Sequence, residues 1–180
     1  MTSRWMMIDG KLNPHALSAL YAPGMTEEVV ALLQGTAYAP LAASGPLLAR
    51  LESNSGLQAH WQSNEPPARH AWCFTSDLAL YPLIDHWRRR LLWRGPMGRT
   101  LWLRYADARV MARGIEHAVF PAEFWHAMTS IRLAPWQGQW SPLPDTRQSG
   151  WQEPVADTLT PGFALNEHQL TALSAKEAAS

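Results

Sequence analysis

The segment from Leu91 to Val110 constrains this chain more than any other part of it. Leu91-Leu92-Trp93-Arg94 is followed by Gly95-Pro96-Met97-Gly98, then by Arg99-Thr100-Leu101-Trp102-Leu103-Arg104-Tyr105-Ala106-Asp107-Ala108-Arg109-Val110. Aromatic, β-branched and aliphatic residues suit a pleated, half-buried surface, and a Gly/Pro cluster between two such runs marks a turn. The segment therefore reads as two strands joined at Gly95–Gly98. Side chains alternate along a strand, so Leu101, Leu103 and Tyr105 share one side and Trp102 and Arg104 the other. The first is a core face. The second carries large groups able to bind something.

Length and composition set the frame. A chain of 180 residues suffices for one domain and can bury roughly 70% of its unfolded surface. Lys+Arg 15 against Asp+Glu 15 leaves no formal net charge, whereas duplex binders normally carry a basic surplus because phosphate neutralisation supplies most of their affinity. Lys11 and Lys176 are the only lysines. The remaining cations are arginines, which suit bidentate carboxylate pairs and aromatic stacking. Ten tryptophans supply anchors for a core or an interface. The single cysteine, Cys73, excludes an internal disulfide and a multi-thiolate metal site. Trp5-Met6-Met7-Ile8 is cut short by Asp9, too early for a signal-peptide apolar region. No window approaches the roughly 20 apolar residues of a membrane span. The expectation is a cytoplasmic protein without membrane contact.

Along the chain, Trp5–Ile8 reads as a buried strand. Asn13-Pro14 reads as an N-cap with proline at the first helical position, opening a helix that carries Leu17, Leu20 and Tyr21 on one side. Thr26 to Leu33 suits either a helix or a strand. Leu47–Leu51 reads as a strand, Asn54 or Ser55 as the cap of a short helix with Leu57 and Trp61 inward, and Pro66-Pro67 as a loop. His70–Thr75 reads as a central strand. Leu80, Leu83, Ile84, Trp87 and Leu91 form one apolar helical stripe, with Pro82 tolerated in the first turn and Arg88-Arg89-Arg90 as a solvated helix end. Asp107 is placed to cap a short helix reaching Arg113-Gly114. Pro121 opens a helix with Phe124, Trp125 and Met128 apolar. Ile131–Leu133 and Gln139-Trp140 form either a closing strand or an ordered crossing segment. From Pro142 the composition becomes that of a linker or tail, with a possible helix over 166–179.

Few side-chain patterns carry chemistry. Cys73 and His70, three apart on a strand, point to opposite faces and make no nucleophile–base pair. Glu123 and His126 have the carboxylate–imidazole spacing of a bundle di-iron site, but only one such pair is present where two are needed. Gly95–Gly98 lacks the lysine and following helix of a phosphate loop. Asp107 and Arg109 stand where a strand hands over to a helix. They read either as a cap with a local pair or as an arginine presented to a partner's carboxylate or carbonyl groups.

The order of these features resembles a known family. Thr75-Ser76, the helix ending in Arg88-Arg89-Arg90-Leu91, the hairpin, and then Arg104-Tyr105-Ala106-Asp107-Ala108-Arg109-Val110 together are similar to the effector-adaptor (Tap/TEC-type chaperone) domain of bacterial type VI secretion. That family typically reads Arg, aromatic, aromatic, Asp, Pro, Arg, aliphatic at the last motif. Arg104, Tyr105, Asp107, Arg109 and Val110 match it, while Ala106 and Ala108 depart from it. Met7–Gly10, Gly45–Leu48 and Ala134–Trp140 resemble the opening strand, a middle strand and the closing segment, so the likeness spans about Trp5 to Leu143. It implies a non-enzymatic cytoplasmic protein that binds a cognate toxin effector, through that effector's N-terminal region, and helps load it onto the VgrG spike.

The resulting expectations are specific. The fold is α/β (mixed α+β), a small mixed, partly antiparallel sheet flanked by helices, with a short irregular or helical C-terminal tail. Residues 1–143 form the adaptor domain and 144–180 the linker and tail. No cofactor, metal or nucleic acid is expected. Candidate partner-binding residues are Trp102, Arg104, Asp107, Arg109, Trp136 and Trp140. The competing readings are a small enzyme with an unrecognised pocket and a nucleic-acid binder using Arg88–Arg90.

Overall fold

A computed structural model describes residues 1–146 and 159–174. In chain order the regular elements are β1 (Ser3–Asp9), α1 (Ala16–Leu20), β2 (Val29–Ala31), β3 (Pro46–Arg50), α2 (Gly56–Gln62), β4 (Trp72–Ser76), α3 (Leu80–Arg88), β5 (Leu92–Arg94), β6 (Thr100–Trp102), α4 (Ala108–Glu116), β7 (Met128–Arg132), β8 (Ser141–Pro142), β9 (Phe163–Ala164) and α5 (Glu167–Ser174). Short 3-10 turns cover Ala39–Ser44, Pro96–Gly98 and Ala122–Trp125. The fold is mixed α/β, as the residue pattern implied.

Six strands form one sheet in the order β2-β3-β1-β4-β7-β8, every neighbouring pair antiparallel. Its central strands read as unbroken apolar runs because both faces are covered. Trp5 to Ile8, Leu47 to Ala49 and Trp72 to Phe74 are all buried, where a one-sided sheet would show alternation. Around Trp72 the core becomes aromatic. Its ring lies 5.6 Å from Trp87, and Trp87 lies 5.0 Å from Tyr105 and 5.9 Å from Phe124. Two buried hydrogen bonds lock this cluster: Trp72 Nε1 donates to the Tyr105 carbonyl at 2.6 Å, and the Tyr105 hydroxyl donates to the Trp87 carbonyl at 2.8 Å.

The hairpin belongs to a second, three-stranded sheet ordered β6-β5-β9. β5 pairs antiparallel with β6 and parallel with β9, which makes this sheet mixed. Phe163 of β9 stacks on Trp93 at 5.0 Å. α5 then packs on α4, where the Arg113 guanidinium donates two hydrogen bonds to the Leu173 carbonyl at the C-terminal end of α5. Cations are favoured there by the unsatisfied carbonyls of a helix end. Residues 159–174 are therefore a strand and a helix docked on the hairpin and α4; positions 175–179 of the anticipated helix lie outside the described residues.

Several local expectations need correcting. Asn13 caps no helix. It is buried, and its side chain donates to the carbonyls of Asp9 and Arg69 while accepting from the Arg69 N–H. α1 starts three residues later, after His15 in left-handed backbone, and Tyr21 is exposed rather than inward. His70 also has left-handed backbone and precedes β4 instead of lying on it. α3 stops at Arg88, so Leu91 joins the core from the following turn.

The arginine run is no solvated helix end. Arg90 is fully buried and donates to the carbonyls of Phe124, His86 and Glu123. Arg88 donates to the carbonyls of Leu32 and Gln34. Both guanidiniums pin distant loops, and a charged donor facing several buried carbonyls is the strong form of such a contact. Met128 begins β7, and only a single 3-10 turn follows Pro121.

Candidate functional site

Two clefts receive four of the six candidate residues. The first, a cavity of about 430 Å³, lies between the hairpin's continuation and the loop before β3. Leu33, Leu41, Pro46, Leu91 and Leu103 give it apolar walls. Trp102 stands at its mouth, 41% exposed, its ring held edge-on by Tyr38 at 4.8 Å between centroids. Leu41 is exposed as well. At the rim, Arg104 makes an ion pair with the buried Asp9 at 2.7 Å. Asp9 also accepts the backbone N–H groups of Lys11 and Leu12, closing the turn after β1. The pair thus joins the first strand to the hairpin across 95 positions.

The alternation along residues 101–105 explains this placement. β6 ends at Trp102, yet Leu103 and Tyr105 are buried while Trp102 and Arg104 are exposed. The period-two pattern outlasts the strand because Leu103 still donates to the Leu91 carbonyl at 2.9 Å.

The second cleft, about 340 Å³, lies beside α4. Arg109 and Arg113 line one side, and Pro135 and Trp136 the other. Trp136 is 77% exposed. Asp107 is buried and caps α4 by accepting the Arg109 N–H at 2.9 Å. The Arg109 guanidinium folds back on the same carboxylate through both Nε and Nη2, at 3.1 and 3.0 Å. Asp107 is a structural cap beneath the surface. Trp140 lines neither cleft; it is half-buried near β8, with the Arg4 guanidinium over its ring at 5.8 Å.

Nucleophile chemistry has little footing at Cys73. The thiol is fully buried, and burial pushes its pKa up, only partly opposed by the nearby Arg132 charge. Burial likewise raises the Tyr105 phenol, again only partly opposed by Arg90 and Arg88. Among the described residues no group of three His, Cys, Asp or Glu side chains is placed to hold a metal ion, and no helix is long and apolar enough to cross a membrane. Sequence reasoning missed Asp9, Leu33 and Leu41 as cleft residues. Asp9 ends β1, Leu33 follows β2 and Leu41 lies in the 3-10 turn before β3, all remote in the chain from Trp102, and no spacing rule links them to it.

The family described as Domain of unknown function (DUF4123) matches residues 4–118. The match runs from β1 to the turn after α4 and takes in the whole first cleft. Neither a curated protein nor a solved structure matches the chain.

Proposed function

The chain belongs to the DUF4123 family, and from that premise we propose that it is an adaptor that binds another polypeptide instead of transforming a substrate. Its cognate partner in this reading is a type VI secretion toxin effector, gripped through the effector's N-terminal region and delivered to the VgrG spike in the cytoplasm. The family is known in type VI secretion effector adaptors, and the ordered motifs from Thr75 to Val110 resemble that adaptor domain. One observation carries the reading: an exposed, edge-braced indole, Trp102, stands over an apolar cleft. Rigid aromatic anchors beside desolvated pockets are where protein–protein binding energy concentrates.

Arg88 and Arg90, which a nucleic-acid reading would need, spend their donors on backbone carbonyls. The test is co-expression with a type VI toxin effector and with the spike protein from the same genome, followed by affinity capture. A ternary or binary complex that weakens on Trp102→Ala supports the proposal. A folded protein that captures neither polypeptide overturns it.

A further inference from the structure

The open edge of the small sheet meets the first cleft, and the register shows which backbone groups it presents. Trp93 pairs with Leu101, and this pair is flanked by Gly95 N–H to the Arg99 carbonyl and Leu103 N–H to the Leu91 carbonyl. In an antiparallel ladder residues alternate between facing the partner strand and facing away. Leu101 therefore spends its N–H and C=O on β5, while Thr100 and Trp102 turn both groups outward. The other side of β5 obeys the same alternation: the carbonyls of Leu92 and Arg94 accept from Gly162 and Leu165. Among the described residues nothing pairs with β6 on its outer side.

Two cavities flank that edge and share Trp102, Leu103 and Arg104 in their walls. On the Trp102 side lies the cleft of about 430 Å³. On the Leu101 side lies a smaller one of about 190 Å³, walled by Val110, Leu165, Leu170 and Leu173. An added strand would send alternate side chains to opposite faces, and here each face offers an apolar recess. Charge fixes the occupant further. Arg94, Arg99 and Lys11 are exposed around the edge, along with Arg104. Asp9, the one carboxylate in the wall of either cavity among the described residues, is already paired to Arg104.

Building on the adaptor reading, we propose that β6 receives an extended segment of the partner polypeptide by strand addition. Outward groups of Thr100 and Trp102 form its hydrogen bonds, alternate apolar side chains fill the two cavities, and an acidic side chain meets Lys11 and the neighbouring arginines. Main-chain pairing supplies affinity in this mode and the pockets supply selectivity.

The probe is a phage-displayed library of random dodecapeptides, panned against the full chain, with amide hydrogen exchange read on the free protein, on its peptide complexes and on the toxin complex. Strand addition requires enriched peptides that alternate apolar residues and carry an Asp or Glu, and slowed exchange at Thr100 and Trp102. Thr100→Pro removes one outward donor and leaves the Leu101 bonds intact; Arg99 already has the extended backbone (φ −67, ψ 142) that a following proline needs. It should weaken peptide binding about tenfold, the scale of a lost hydrogen bond, with an unchanged melting temperature. If that variant misfolds, the exchange data on the wild type decide alone.

Amides that exchange as fast in the complexes as in the free chain overturn strand addition and leave the adaptor reading standing. Peptide capture at the edge without any toxin complex does the reverse. Concentration-dependent pairing of two copies through β6, seen in sedimentation, assigns the edge to a second copy and also overturns the proposal.

Discussion

Each cleft is lined by an exposed tryptophan and by an arginine that a buried aspartate holds, Asp9 in the wall of the first and Asp107 beneath the second, and the two aspartates do different work. In the first, Asp9 closes a turn after β1 and holds Arg104 from 95 positions away. In the second, Asp107 caps α4 and holds Arg109 two positions away. The local pair is part of a helix start and would form wherever that segment went. The remote pair exists only if the six-stranded sheet and the hairpin are already docked. The first cleft also has apolar walls and an indole braced by Tyr38, whereas Trp136 is exposed and no other aromatic ring among the described residues packs against it. The same three side-chain types thus yield a pre-organised anchor in one place and a solvated one in the other.

The largest expected contrast is in partner binding. Trp102→Ala should cost about 2 kcal/mol or more of affinity, roughly thirtyfold, as for a braced aromatic hot spot. Trp136→Ala should change it less than about threefold, in the range of rim contacts. Calorimetric titration with the proposed partner polypeptide checks both. Equal losses would erase the distinction between the clefts.

Stability should separate the two aspartates next. Asp9→Ala removes two backbone acceptor bonds and a long-range tether, an expected loss of about 2 kcal/mol. Asp107→Ala removes an N-cap and a local pair, about 1 kcal/mol. Denaturant midpoints with a constant slope measure the difference.

Alkaline pH offers a third contrast, because Tyr105 lines the first cleft and, among the described residues, no tyrosine lines the second. Burial raises its phenol pKa in the folded protein, while the unfolded value is about 10. The contribution is complete below about pH 10 and is lost above it, since only the unfolded chain then releases the proton. Burial of Cys73 acts in the same sense from about pH 8.5. Tyr105→Phe should flatten the upper part of a stability–pH curve, leaving the Cys73 part in place.

The smallest effect concerns the hairpin that presents Trp102. Gly98 has φ +72, with open space around it. Gly98→Ala meets no clash and only the left-handed penalty, about 1 kcal/mol. A thermal shift of a few degrees without loss of binding is the expected reading.

Local chemistry made much of this legible. β1, β3, β4, the Ser55 cap of α2, Pro82 in the first turn of α3, the Gly95–Gly98 turn and the Asp107 cap all follow from short-range patterns. The alternation from Leu101 to Tyr105 correctly set Trp102 and Arg104 outward. The arginine run misled because a helix C-terminus suits cations whether or not another segment lies over it. Phe124 and Glu123 do lie over it, and their carbonyls take Arg90. Asn13 misled similarly: its amide satisfies the backbone of Asp9 and Arg69 instead of a helix start.

What the residues alone determined was β1, β3, β4, α2, α3 and the hairpin strands, the outward face of the hairpin and the cap at Asp107, since each rests on interactions within a few positions. Tertiary structure alone decided that Asp9 meets Arg104, that Arg90 is interior, and that Phe163 joins β5 beside Trp93. Those contacts join positions tens of residues apart, and their partners are fixed by how two sheets dock, which no local periodicity encodes.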